Sequence, residues 1–229
     1  GNVTPDDVGP ILDDYLRNGR VPASRALGYL GEPAVDGVPD LATLPGIRLQ
    51  QRIALRNAGH IAHDDVFQYI AQGGYEGLNK ALFEMQPGDV IKEISDSGLR
   101  GRGGAAFSTG IKWSFLVRSP GPPKYILCNC EEGDPGAFND KGILESDPHA
   151  LLEGTILAGY ATSASHGYVF IRHGHDGPIR RTQEAIAEAR RLGLLGDNIL
   201  GSDFSFDIDV ALTGESYVSG EETALMEAI

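Results

Sequence analysis

Apolar positions recur with helical spacing in the first part of the chain and later alternate between helical stretches and short strand-like runs. Val8, Ile11, Leu12, Tyr15 and Leu16 fall on one face of a helix that opens near Thr4 and stops at Asn18-Gly19. From Ala26 to Gly46, Pro33, Pro39 and Pro45 with several glycines read as an extended connector. Arg52 to Asn57 reads as a short strand. Asp64 or Asp65 opens the next helix, with Val66, Phe67 and Ile70 inward and Gly73-Gly74 as its end. A further helix carries Leu78, Ala81, Leu82 and Met85. After the break at Pro87-Gly88, Val90, Ile91, Ile94 and Ser97 repeat at helical spacing, with Asp89 placed to cap.

The texture then changes. Tyr125 to Asn129 reads as a buried strand, and Pro148 to Thr162 as a helix with Leu151, Leu152, Ile156 and Leu157 on its core face. Tyr168 to Arg172 is a second strand, and Pro178 to Leu192 a helix with Ile179, Ile186 and Ala189 inward. Phe206, Ile208, Val210 and Leu212 alternate as a third strand. This order predicts an α/β protein: a Rossmann-like parallel sheet with flanking helices and right-handed crossovers, preceded by a mostly helical N-terminal extension. Residues 1–50 read as the N-terminal helix and linker, and 51–229 as the sheet domain. Ligands of such sheets sit beyond the carboxyl ends of the strands, so the segments after Leu127 and after Leu212 are expected to converge on one crevice.

Composition narrows the partners. The chain has 229 residues, 41% of them hydrophobic, which is enough for a substantial core. No run of about 18 apolar residues exists to span a membrane, and the N-terminus lacks the pattern of a signal peptide, so a soluble, cytoplasmic protein is expected. A net charge of −13 argues against nucleic acid as a partner. The two cysteines, Cys128 and Cys130, form a C-x-C pair with both side chains on one strand face. Alone they are too few for structural zinc or an iron–sulfur cluster, so two buried thiols are the favoured reading and no metal site is expected. The six histidines are scattered. His173 and His175, just after a strand, read as a surface pair.

Against this acidic background the basic stretch Gly98 to Lys112 stands apart. Gly98, Gly101, Gly103, Gly104 and Gly110 let a ligand approach main-chain N–H groups, Arg100, Arg102 and Lys112 can pair with phosphate, and Phe107 and Trp113 offer rings for stacking. Gly101 to Ala106 fits G-x-G-x-x-A, but the segment before it is helical where the dinucleotide fingerprint needs a strand. The P-loop pattern fails too, because Lys112 comes two residues after Gly110 and no Ser or Thr follows it. Opposite this loop, two acidic segments lie at strand ends: Asn129-Cys-Glu-Glu-Gly-Asp-Pro-Gly136 and Gly214 to Thr223 with Glu221 and Glu222. Their carboxylates suit ribose hydroxyls, amides or a ring N–H, which leaves the phosphate to the basic loop.

Taken together, Gly98 to Gly104, Thr109 to Trp113, Asn129 to Gly136, Ile143-Leu-Glu and Gly220 to Leu225 resemble the NADH-binding flavoprotein subunit of respiratory complex I and the equivalent modules of NAD(P)-linked hydrogenases and formate dehydrogenases. The resemblance covers roughly Gln51 to Ile229. It implies an FMN-dependent NADH dehydrogenase (diaphorase) module, in which FMN receives hydride from NADH and passes electrons singly to iron–sulfur clusters. No catalytic acid or base is implied, because the flavin carries the chemistry. The cofactor site implied comprises Gly101, Arg102, Gly103, Gly104 and Lys112 on the phosphate side, Asn129, Glu131 and Glu132 around the ribityl chain, and Tyr217, Gly220, Glu221, Glu222 and Thr223 opposite. For NADH, the resemblance implies Phe107 and Phe115 as the stacking pair, with Lys112, Asp134 and Glu222 nearby, Glu222 meeting a ribose and disfavouring NADPH.

The partners implied are an iron–sulfur subunit with a thioredoxin-like two-iron domain and a larger dehydrogenase, hydrogenase or complex I-like assembly, including one at the cytoplasmic face of a membrane. Several positions depart from the family. Glu131-Glu132-Gly133-Asp134 replaces the usual Asp-Glu-Ser-Glu, Ser219 stands where cysteine is usual, and Glu215 is added near the pocket. Family members continue beyond the equivalent of Ile229 into a ubiquitin-like domain and a domain with a four-iron cluster, so the sequence reads as a partial chain. Val3 to Leu27 resembles the last helix of a thioredoxin-like domain. A non-catalytic assembly or docking fragment that does not retain flavin is the alternative. A plain NAD dehydrogenase without flavin is disfavoured, since it needs a strand before the glycine loop.

Overall fold

The structure, a computed structural model, describes residues 2–31, 33–214 and 217–227. It divides into two compact units, Gly1–Ile53 and Ala54–Ile229. The first holds α1 (Pro5–Pro10), a π-helical continuation over Ile11–Arg17, and the short helix α2 (Pro45–Arg48). Asp7 begins α1 well, its carboxylate accepting from the N–H and the hydroxyl of Thr4 at 2.8 and 2.7 Å. Pro10 donates no N–H and crowds the preceding turn, which accounts for the wider π turns that follow it. The apolar stripe expected on this helix is exposed at Val8, Leu12, Tyr15 and Leu16.

The second unit opens with turns over residues 54–60, where the pattern of residues predicts a strand at Arg52 to Asn57. Asn57 is instead buried and donates to the Asp147 carboxylate at 2.7 Å. The helices α3 (Val66–Ala71), α4 (Glu76–Glu84), α5 (Pro87–Asp96) and α6 (Thr109–Arg118) then lead to the first strand, β1 (Tyr125–Cys130), and the helix α7 (Asn139–Ser146). Asp65 caps α3, accepting from Phe67 and Gln68 N–H groups. The buried face of α3 is Val66 and Tyr69, whereas Phe67 and Ile70 are exposed. In a helix of six residues both i,i+3 pairs are apolar, and only the packing partner decides between them. At α5, Asp89 acts as the third helical residue, its carboxylate reaching back to the Gln86 N–H at 3.1 Å.

The long helix α8 (Pro148–Thr162) connects β1 to β2 (His166–Arg172), and α9 (Asp176–Arg191) connects β2 to β3 (Asp207–Thr213). All three strands are parallel, in the order β1-β2-β3, with Cys128, Val169 and Val210 in register. Val169, Ile171 and Ile208, together with Cys130, join Leu152, Ile156, Ala185 and Ile186 in the main core. Helix α8 touches the sheet and also α4 and α5, and its apolar residues accordingly run around much of its circumference. Gly159 lets it approach Phe206, next to the start of β3, since a Cβ there would stand 2.5 Å from that ring.

One buried carboxylate fixes the first helices of this unit to its core. Glu153 on α8 accepts from the Tyr69 hydroxyl at 2.5 Å, the Tyr75 N–H at 2.9 Å and the Leu78 N–H at 3.1 Å. Burial, with Glu153 beside them, raises both tyrosine hydroxyls far above their ordinary range. Among the described residues no helix is long and apolar enough to cross a membrane.

Candidate functional site

The glycine loop leaves α5 rather than a strand, as its flanks predict. Gly98 turns the chain at a φ of +69°. The Gly101 N–H donates to the Phe107 carbonyl at 2.9 Å, and the Thr109 N–H to the Leu99 carbonyl at 3.0 Å. Arg100 Nη1 donates to the Ala106 carbonyl at 3.0 Å. Two of these bonds close the loop's neck and the third braces it from within, so Arg100 is committed to the loop itself. Ser108 caps α6, its hydroxyl accepting from the Ile111 N–H, so that the first turn of α6 follows directly on the loop, a favourable setting for an anion.

The glycines serve different ends. Gly110 is required by packing: a Cβ would lie 2.9 Å from Ser95 Cα, which lets α5 and α6 approach. Gly104 is required by its backbone, at a φ of +104°. Gly103 has neither reason, since a Cβ there meets no atom within 4 Å and its φ is ordinary. Among the described residues the neighbouring Arg102 has no hydrogen-bond or ion-pair partner, and it is exposed. Open space over Gly103 beside an uncommitted guanidinium fits a phosphate group. Phe107 and Phe115 stand together, ring centroids 6.2 Å apart at 45°, both about half exposed.

The two acidic segments meet each other, and the second also meets α6. Asn129, near the end of β1, donates through Nδ2 to the Gly220 carbonyl at 2.8 Å and accepts the Glu131 N–H at 3.1 Å. Glu131 is buried, its carboxylate accepting from the Gly133 N–H at 2.9 Å and from Arg172 Nη1 at 3.1 Å. Glu132 has a left-handed backbone, and its carboxylate accepts from the N–H groups of Asp140 and Lys141, both at 3.0 Å. It thus caps α7, and both of its oxygens are engaged there. Asp134 accepts the Gly136 N–H at 3.0 Å.

Beyond β3, Glu221 caps the short helix α10 (Glu222–Glu227) by accepting from Thr223 and Ala224 N–H groups, which hold its carboxyl below the usual range. The Thr223 hydroxyl also donates to it. Glu222 is free of the cap and pairs with Lys112 of α6. Tyr217 is largely exposed, and Glu215 lies outside the described residues. The structure therefore brings Lys112 to Glu222, and Asn129 and Glu131 to Gly220, while Glu132, Glu221 and Thr223 serve helix ends.

Cys128 and Cys130 lie on the core face, their sulfurs 3.9 Å apart in a thiol hydrogen bond without a disulfide. Their contact, together with burial, pushes the Cys130 thiol well up. Among the described residues no three His, Cys, Asp or Glu side chains are grouped to hold a metal. Two residues that no sequence motif singles out also matter here. Arg172 ends β2 beneath Glu131, and Asp140 stands beside Glu132 with its carboxyl pushed up to about 6, by burial and then by that neighbour's charge.

Because this shift raises an acid, the folded state holds the Asp140 proton more tightly than the unfolded chain does. The associated stability is present below about pH 4 and is lost as pH rises towards 6. Asp140→Asn is therefore expected to be more stable than the parent at pH 7, by about 1 kcal/mol after solvent screening, and no more stable at pH 4. Urea unfolding at the two pH values checks this, and an equal effect at both would refute it.

A basic glycine loop beside acidic strand ends at the carboxyl edge of a parallel α/β sheet is an arrangement that suits a nucleotide-binding α/β protein. The chain belongs to the Nuo51 FMN-binding domain family, whose model matches residues 94–229. It is 47% identical over 180 residues to a subunit of the NADP-reducing hydrogenase of Solidesulfovibrio fructosivorans, HndC, covering 79% of this chain and 36% of that protein. It is 40% identical over 163 residues to an NADH-quinone oxidoreductase subunit of Escherichia coli, covering 71% of this chain and 37% of that one. The chain thus spans little more than a third of the length of these relatives. Among solved structures, an NAD+-reducing [NiFe]-hydrogenase in its air-oxidised state matches with a TM-score of 0.56 and 28% identity over 78% of this chain and 28% of that one.

Proposed function

We propose that the chain is the cofactor-binding part of an NADH dehydrogenase module, in which bound FMN accepts hydride from NADH and releases electrons singly to iron–sulfur partners. The open space over Gly103 beside the uncommitted Arg102 carries this reading, because nothing among the described residues asks for a glycine there. Gly101 to Gly104, Arg102 and the first turn of α6 hold the FMN phosphate. Asn129 and Gly220 flank the ribityl chain, with Glu131 beneath them and Tyr217 at the rim. Glu132, Glu221 and Thr223 support the site by fixing α7 and α10.

For NADH, Phe107 and Phe115 stack the adenine and Asp134 lies alongside. Lys112 and Glu222 exchange their mutual ion pair for contacts with the dinucleotide, and that exposed pair is weak enough to give way. Glu222 favours NADH over NADPH through its charge at the ribose. The protein's contribution is position, charge and exclusion of water, with no acid or base required. Relatives named as subunits of a hydrogenase and of quinone oxidoreductases support a multi-subunit setting. On that basis the partners are an iron–sulfur subunit and a larger assembly, at the cytoplasmic side of a membrane where the acceptor is a quinone.

The test is the visible spectrum of the purified chain after FMN is added and free flavin removed, followed by anaerobic NADH and, separately, NADPH. Retained flavin that bleaches with NADH, and more slowly with NADPH, is the expected result. A folded chain that retains no flavin would instead be an assembly piece.

A further inference from the structure

We propose that Arg172, the last residue of the central strand β2, is a positioning residue for the cofactor site: it holds the buried Glu131 carboxylate and through it ties together the two lips of the crevice. The proposal rests on the FMN reading above. Glu131 is only 1% exposed. One of its oxygens receives Arg172 Nη1 at 3.1 Å and the other the Gly133 N–H at 2.9 Å. Backbone presses on this pair from both sides. A Cβ on Gly133 would stand 2.7 Å from Glu131 Oε2 and 2.9 Å from Arg172 Nη1, and one on Gly220 would stand 3.0 Å from Glu131 Oε2.

Gly133 belongs to the segment after β1 and Gly220 to the segment after β3. Asn129 joins the same two segments, donating to Gly220 and accepting from Glu131 N–H. The ion pair therefore lies at the junction of all three strand ends. Glycine at 133 follows from it, because the longer carboxylate of Glu131 and the guanidinium fill the space a side chain would need.

The pair also sets the charge beneath the crevice. A buried carboxylate deprived of its cation is an uncompensated negative charge. There it opposes a phosphate, and it opposes still more the negative charge that a flavin gains on reduction. Removing the carboxylate instead takes a negative charge from beneath the crevice and favours the reduced form. A purely structural contact would not produce effects of opposite sign.

The experiment compares the full chain with Arg172→Met, Glu131→Gln and the double variant, measuring FMN affinity by fluorescence titration and the flavin midpoint potential. Arg172→Met is expected to lose at least tenfold in affinity and shift to a more negative potential. Glu131→Gln is expected to shift to a more positive potential, and the double variant to return towards the parent on both measures. The proposal is overturned if Arg172→Met stays within twofold of the parent, if both single variants shift the potential in one direction, or if the double variant is no better than the worse single. Should Arg172→Met not fold, Glu131→Gln decides: an unmoved potential overturns the proposal. A parent chain that holds no FMN removes the cofactor reading and this proposal with it, whereas a parent that binds while Arg172→Met binds equally well removes this proposal alone.

Discussion

Glu153→Ala is expected to cost about 3–4 kcal/mol of stability. The carboxylate is almost fully buried and serves the Tyr69 hydroxyl and the N–H groups of Tyr75 and Leu78. Alanine leaves three donors without an acceptor, each costing about 1–3 kcal/mol when shut away from water, less whatever relaxation recovers. It also opens a cavity where α3 and α4 meet α8. For a chain of this size the loss corresponds to a fall in melting temperature of roughly 6–15 °C. Glu153→Gln keeps one acceptor oxygen and should fall by less than half as much. Thermal unfolding followed by circular dichroism checks both, and a fall under about 2 °C for the alanine variant would show that the helices are held by apolar packing alone.

Gly103→Ala is expected to separate ligand binding from folding. A methyl group at this position meets no protein atom within 4 Å and needs no unusual backbone angle. Fold stability should therefore be unchanged or slightly raised, since alanine restricts the unfolded chain more than glycine does. The same methyl group occupies space over the N–H groups beside Arg102 where phosphate is proposed to sit. FMN affinity should fall about 30- to 100-fold, roughly 2–3 kcal/mol. Gly110→Ala serves as the contrast, because its methyl group would strike Ser95 and lower stability first. Affinity for Gly103→Ala within threefold of the parent would remove the phosphate from this part of the loop.

How far the sequence could be read depended on the range of the interaction. The strand and helix alternation from Tyr125 to Thr213 was legible because period and length are local properties, and parallel pairing follows from the crossovers. The helical approach to the glycine loop was legible for the same reason. The strand expected at Arg52 to Asn57 was not formed, because a strand needs a neighbour to pair with, and Asn57 instead meets a side chain, Asp147, 90 residues away. Val66 is buried as its spacing predicts, but Phe67 and Ile70, read as inward with it, are exposed, because Tyr69 takes that side of α3 once Glu153 supplies a buried partner for its hydroxyl.

The site divides along the same line. Residue types and their order determined by themselves the parallel α/β sheet and the positions of a basic glycine loop and two acidic strand ends, because backbone freedom, charge and strand periodicity are all written in consecutive residues. Only the tertiary structure decided which members of those motifs face the crevice. Gly103 is open while Gly110 is packed, and Lys112 and Glu222 meet while Glu132 and Glu221 are spent on helix ends. It also brought in Arg172, which no motif contains. A carboxylate at a strand end can cap a helix, pair with a cation or face a ligand at similar free energy, and the choice is made by whichever N–H or guanidinium the folded chain places within about 3 Å of it.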